Sequence, residues 1–401
     1  MYQICLSLAL FIILILQIWL QIKPVFLAYF SLFISCSLLL SSRNSLVHFI
    51  SFSFMIAYII IYIISEYLQV PYHYLLLYQD EDIERVLFLL FSTFLLCIYA
   101  LRKNIKTKSV PKLQYNNISG PLLIAAISIS LFGVLKAWPP SSEYSISSSS
   151  SSLFEYSVIP AVLGVVFSAN RRQRLIIVTL AICCFCPLLF GRRGPALMFF
   201  WLLLAYLSIW RNFSLKSMIT LLVISGLTIR IFALVRAGYE LTPFNLLLGG
   251  ASAMSNHQGG VIVSSNTYLA FIIDGTWDVW TRLEMFLGAI VSWLPYSVNP
   301  FPAVYAHIYV RDYAVIPGSG GLPFVYLYIW GGITLLVIGC ILLGYLLTYR
   351  SINSRYSYLL YLVAWSTFPR WFAYSLPALI KFTILGLLFL VFINVIIKGL
   401  K

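Results

Sequence analysis

Long apolar runs set the first constraint on this chain. A helix needs about 17–25 apolar residues to cross the hydrocarbon of a bilayer, and about twelve segments here meet that rule. They begin near residues 3, 24, 46, 84, 118, 154, 174, 194, 215, 321, 356 and 378. Of the 401 residues, 61% are hydrophobic and only 9% are charged. A soluble domain carries about a quarter charged residues, so this chain cannot cover a water-facing surface. The expected fold is an all-α integral membrane protein of about 12 transmembrane helices. A single polytopic membrane domain over residues 1–401 is expected, with one large loop at 236–320. The first run, Ile4 to Ile22, is too long for a signal-peptide core and lacks a basic leading segment, so it reads as a first span.

Orientation follows from the basic connections. Arg43, then Arg102, Lys103, Lys106, Lys108 and Lys112, then Arg171, Arg172 and Arg174 fall between runs on one side. Arg211, Lys216, Arg350, Arg355, Lys398 and Lys401 fall there too, making fifteen of the 26 basic residues. The positive-inside rule places them in the cytoplasm, together with both termini. All twelve acids then lie on or near the other face, including Glu66, Asp80, Glu81, Asp82, Glu84, Glu143 and Glu155. Topology thus accounts for the formal charge of +14, and no nucleic-acid partner is needed. Seven cysteines lie inside apolar runs and read as small buried hydrophobes, with no disulfide framework.

The stretch from Arg236 to Gly321 breaks the pattern of spans. It holds His257, His307, Arg236, Arg282, Arg311, Glu240, Asp274, Asp278, Glu284 and Asp312. Reactive side chains are scarce elsewhere, so chemistry is sought here first. Within it, Leu283 to Val298 is apolar but short, and reads as interfacial or re-entrant. Trp277, Trp280, Trp293, Tyr305, Tyr309 and Tyr313 offer aromatic walls or interfacial anchors. No metal-ligand constellation is visible, and no cofactor is expected.

Eleven cations remain outside the cytoplasmic set. Lys23 and Arg85 sit at helix ends. The others are Lys136, Arg192, Arg193, Arg230, Arg236, Arg282, Arg311, Arg370 and Lys381. Arginine at membrane depth is costly and faces a protein interior or a wet cavity. Guanidinium groups bind phosphate oxygens through paired hydrogen bonds, so a diphosphate head group in the outer leaflet matches both charge and depth. Snorkelling and pairing with the loop acids is the alternative. The sharpest short motif is Gly191-Arg192-Arg193-Gly194-Pro195, a tight turn leading into a helix whose first turn takes the proline.

This turn, the long late loop, and Gly318-Ser319-Gly320-Gly321 followed by Trp330-Gly331-Gly332 together resemble the O-antigen polymerases (the Wzy class) and the related O-antigen ligases. Members often carry an acid in the span after the Gly-rich segment, whereas Pro323 to Ile329 has none. The resemblance implies a GT-C-like polymerase architecture in a bacterial inner membrane and a glycosyltransferase working on its periplasmic face. The substrate would be an undecaprenyl-diphosphate-linked oligosaccharide, the setting membrane lipid, and a chain-length regulator protein a further partner. The product would be O-antigen or a related surface polysaccharide, placing the chain in lipopolysaccharide biosynthesis. Arg192, Arg193, Arg236 and Arg311 would bind diphosphate, with Arg282 and Arg370 as second choices. His307 would act as general base, with His257 as second candidate, since imidazole titrates near neutral pH. Glu240 and Asp312 would position sugars or pair with arginines. Two rivals stand beside this reading: an O-antigen ligase acting on lipid A core, and a lipid-linked oligosaccharide flippase.

Overall fold

The computed structural model describes residues 22–42, 45–68, 80–101, 115–137, 153–168, 171–190, 192–236, 242, 257–294, 298, 300–301, 320–348 and 354–399. The expected span at residues 3–22 falls almost wholly outside them. The described residues form helices and no sheet. In chain order these are α1 Pro24–Ser41, α2 Leu46–Leu68, α3 Glu81–Leu101, α4 Ser119–Ala137, α5 Val158–Ser168, α6 Gln173–Leu189 and α7 Arg193–Trp210. There follow α8 Leu215–Arg236, α9 His257–Ile273, α10 Val279–Ile290, α11 Pro323–Thr348, α12 Arg355–Ser366, α13 Phe368–Ala373 and α14 Pro377–Gly399.

By length and composition six of these could cross a membrane, α1, α2, α3, α4, α11 and α14, with α11 counted end to end across a break at Gly331 and Gly332. Their outward faces are as apolar as their packed faces. Phe33 of α1 is 63% exposed, Leu135 of α4 73% and Phe392 of α14 62%. In water such faces would forfeit the burial energy that drives folding, about 25 cal/mol per Å². In hydrocarbon they are at home, and the chain is a multi-pass membrane protein. Several other apolar helices are shorter, including Leu153–Ser168, Gln173–Leu189 and Gly259–Ile273.

Contacts within the chain gather into two units. The first comprises residues 1–106, 214–349 and 371–377. Here α1 packs on α3 through a hydroxyl pair, Ser31 Oγ to Ser92 Oγ at 2.8 Å, the polar adhesive that lipid-embedded helices use in place of a hydrophobic drive. At one end of the unit, His48 at the start of α2 bonds the Leu347 carbonyl through Nε2 at 2.6 Å and meets Ser45 Oγ through Nδ1 at 2.7 Å. Gly344 lies against Ile98 and Leu101 at that same end. The helix ends leading to Arg43, Arg102 and Arg350 therefore share one end. At the other, Tyr62 donates to the buried Glu84 carboxylate at 2.8 Å, and Arg85 pairs with Asp82 while donating to the Ile22 carbonyl at 3.1 Å. Phe54, Tyr58, Phe91, Phe94, Phe324 and Phe372 make an aromatic core between the ends.

The run expected as one span from about residue 321 folds differently. α11 is broken at Gly331 (φ −157°, ψ 28°) and Gly332 (φ 59°, ψ −150°), the latter a conformation open essentially to glycine. A β-carbon on Gly339 would collide with Leu327. In a straight helix these residues, 12 apart by number, would stand about 18 Å from one another. Residues 323–330 thus fold back on residues 333–348 as a short helical hairpin. The stretch expected as a loop at 236–320 also holds structure of its own. α9 is buried on all sides from Gly259 to Ala270, and the short amphipathic α10 follows it.

The second unit comprises residues 107–213, 350–370 and 378–401. Small residues let its helices approach. A β-carbon on Gly164 of α5 would press on Leu123 of α4, and one on Gly133 of α4 would press on Phe154. Ser130 Oγ of α4 donates to Ser157 Oγ at 3.0 Å. One end of this unit is arginine-rich and aromatic. Arg171 and Arg172 both lie over the Tyr115 ring, and Arg355 lies over Phe167 while meeting Asn394 Oδ1 at 3.4 Å. At the opposite end Ala137, Phe154, Cys186 and Phe190 pack together.

Candidate anion site

The Ala137–Phe190 end of the second unit carries the short arginine motif. Pro187 bends the chain out of α6, and its carbonyl accepts from Phe190 N–H at 3.2 Å and Arg192 N–H at 2.8 Å. That closes the turn. Arg193 opens α7, and Pro195 falls in its first turn, where a missing N–H costs nothing. Arg192 itself is half-buried.

Arg370 meets this turn from the far end of the sequence. It sits on α13, whose Phe368 ring stacks on Trp201 of α7 at 6.0 Å and leans on Trp365 at 5.7 Å. These rings hold the short helix against α7. Arg370 Nη2 pairs with Glu155 Oε1 at 3.0 Å, the two side chains 32% and 16% exposed. Its Nη1 lies 3.8 Å from where a β-carbon would stand on Gly194. Lys381 of α14 lies over the ring of Tyr156, the residue after Glu155, at 4.6 Å, and Lys136 lies over Phe132 of its own helix at 5.4 Å. Of the cations at this end, Arg370 meets Glu155 directly, and Glu155 is the single carboxylate among the described residues there, beside Arg192, Lys136 and Lys381 in the same unit. The balance is positive, and a partly buried guanidinium with a neighbouring arginine turn is chemistry suited to a multiply charged anion.

In the first unit Arg282 has other work. Asp278 caps α10 by accepting from Thr281 N–H at 2.8 Å, and that hydrogen bond holds its carboxyl below the ordinary carboxylate range. The cap fixes the first turn of α10, which carries Arg282. Arg282 Nε donates to the Ile329 carbonyl at 2.6 Å and Nη2 to the Tyr328 carbonyl at 3.2 Å. The glycine break removes the helical donors these carbonyls would otherwise meet, and the guanidinium supplies replacements. Phe286 packs on Trp330 at the same joint. The Gly-rich approach to α11 is equally constrained. A β-carbon on Gly320 would strike the Tyr374 backbone; Gly321 N–H donates to the Tyr374 carbonyl at 3.1 Å, and Tyr326 Oη donates to it at 3.0 Å.

Of the residues expected to act, Arg192 and Arg370 share one end of one unit. Arg282 is tied to the helix break. Arg236 ends α8, Arg193 opens α7 and His257 opens α9, but their side chains lie outside the described residues. His307, Arg311, Glu240 and Asp312 lie outside them entirely. Trp277 is buried against Tyr268 and Phe271 and serves the core, whereas Trp280 is 73% exposed. Glu155 was legible only as one more outer acid, and nothing local in the sequence signals a partner on α13. Comparison with protein-family models, with curated proteins and with solved structures finds no match.

Proposed function

We propose that this protein is a membrane glycosyltransferase that polymerises oligosaccharide repeat units carried on undecaprenyl diphosphate, working on the face opposite its basic connections. The observation that carries this reading is the meeting of the Arg192–Gly194 turn with Arg370 at the end of the second unit remote from Arg171, Arg172 and Arg355. Cations beyond the cytoplasmic set act against topology and call for an anionic ligand. A lipid-linked diphosphate has the charge and the depth.

The reaction is a substitution at an anomeric carbon. A hydroxyl of the incoming repeat unit attacks that carbon of the growing glycan. The new glycosidic C–O bond forms as the bond to the diphosphate oxygen breaks. The hydroxyl proton passes to a base, for which His307 is the first candidate and His257 the second. Negative charge develops on the departing lipid diphosphate, and fixed guanidinium groups stabilise it in a poorly solvated setting. Arg192 and Arg370 take that role, with Arg193, Arg236 and Arg311 as further candidates.

The test is a deletion strain complemented with wild type, Arg192→Ala or Arg370→Ala, read as a ladder of surface glycan. Wild type should restore long chains, and each variant should give the single-unit product at normal membrane abundance. Loss of all attached glycan in the deletion strain would point to a ligase. Retention of repeat units on the cytoplasmic leaflet would point to a flippase.

A further inference from the structure

Glu155 is the one carboxylate at the cationic end of the second unit among the described residues, and the reaction above leaves it without a task. A carboxylate beside an anion site opposes the anion electrostatically, so its presence needs a compensating reason. The geometry of Arg370 supplies one. A guanidinium is a rigid planar fork, so fixing one Nη fixes where the other points. Glu155 Oε1 holds Nη2 at 3.0 Å, and Nη1 is then presented over the bare Cα of Gly194.

We propose that Glu155 is the positioning residue of the anion site: it holds one edge of the Arg370 guanidinium so that the other edge, above Gly194, receives a phosphoryl oxygen of the lipid diphosphate. This rests on the reading of Arg370 as a diphosphate ligand. Gly194 is the second part of the device. Its φ lies outside the left-handed region, and among the described residues an added β-carbon would meet nothing closer than Arg370 Nη1 at 3.8 Å, ordinary van der Waals contact. The fold therefore tolerates alanine there, while the methyl group fills the space the phosphoryl oxygen would use.

The experiment measures binding of radiolabelled undecaprenyl diphosphate to the full-length protein in nanodiscs, with unfolding temperature and cellular glycan ladder followed for each variant. Glu155→Ala is expected to weaken binding about tenfold or more, the worth of one charge-assisted hydrogen bond. Glu155→Gln keeps an acceptor oxygen in place and should stay within about threefold of wild type. The exchange Glu155→Arg with Arg370→Glu should restore the unfolding temperature lost by either single change, yet leave binding absent. Gly194→Ala should keep or raise the unfolding temperature and still lose binding. The proposal is overturned if the charge exchange restores binding, if either Glu155→Ala or Gly194→Ala binds as wild type does, or if wild type does not bind the diphosphate. A wild type that binds with this pattern but builds no polymer sinks the polymerase reading and leaves the site intact. A wild type that polymerises with unaltered binding in the variants does the reverse.

Discussion

Arg282 and Arg370 show how differently two half-buried arginines are used. Arg282 donates to two backbone carbonyls that a glycine break has stripped of their helical partners. Arg282→Ala leaves both carbonyls without that donor and should cost about 2 kcal/mol, within the range for losing hydrogen bonds to a charged group. Arg282→Lys should recover part of the loss, because an ammonium can reach one carbonyl but lacks the fork. Reversible unfolding in mixed micelles would measure both. Arg370 instead meets a carboxylate, in a pair neither fully buried nor exposed. Exposed pairs are worth under about 1 kcal/mol, while stranding one partner of a buried pair costs about 3–5 kcal/mol. Arg370→Ala should fall between, at about 2 kcal/mol. Glu155→Ala together with Arg370→Ala should cost less than Arg370→Ala alone, since no carboxylate is then stranded.

Elements here are ended and bent by glycine and by caps. Gly332 sits at φ 59° and ψ −150°, so Gly332→Ala should destabilise the α11 hairpin by about 1–3 kcal/mol. Gly226, in the middle of α8, has no neighbour among the described residues where a β-carbon would stand, and should respond in the opposite sense. There alanine stabilises by up to about 1 kcal/mol, through helix propensity alone. α10 depends on its Asp278 cap. Because the folded carboxyl titrates below its unfolded value, the cap's contribution is present above the ordinary carboxylate range and fades as pH falls through the lowered one. Amide exchange in α10 should quicken in acid, and Asp278→Asn should show a weaker pH dependence. An α10 whose exchange ignores pH in both proteins would contradict this.

Across the whole molecule the prediction concerns sidedness. Single cysteines placed at Glu66 and at Arg211 should label from opposite faces, the first from outside the cell membrane and the second only after permeabilisation. Labelling of both from one face would break the assignment of the cationic end of the second unit to the outer side. The positions of the helices were largely legible in the sequence, because apolar run length follows directly from bilayer thickness. The runs read from residues 24, 46, 84, 118, 174, 194, 215, 356 and 378 each meet a helix starting within a few residues. α9 escaped that reading because Ser264, Ser265, Asn266 and Thr267 interrupt its apolar pattern, although all four are buried.

The sequence alone determined the class of protein and the approximate places of its helices, because these depend on local hydropathy; the sidedness expected from its basic connections rests on charge at helix ends and awaits the labelling experiment. Tertiary structure alone decided which cation meets which partner. That Arg282 would spend its donors on the carbonyls of Tyr328 and Ile329, and that Arg370 would reach Glu155 and Gly194, depends on segments far apart in the chain meeting at a fixed depth. No periodicity encodes such a meeting, because it arises from packing helices whose contact faces are as apolar as the faces they turn to lipid.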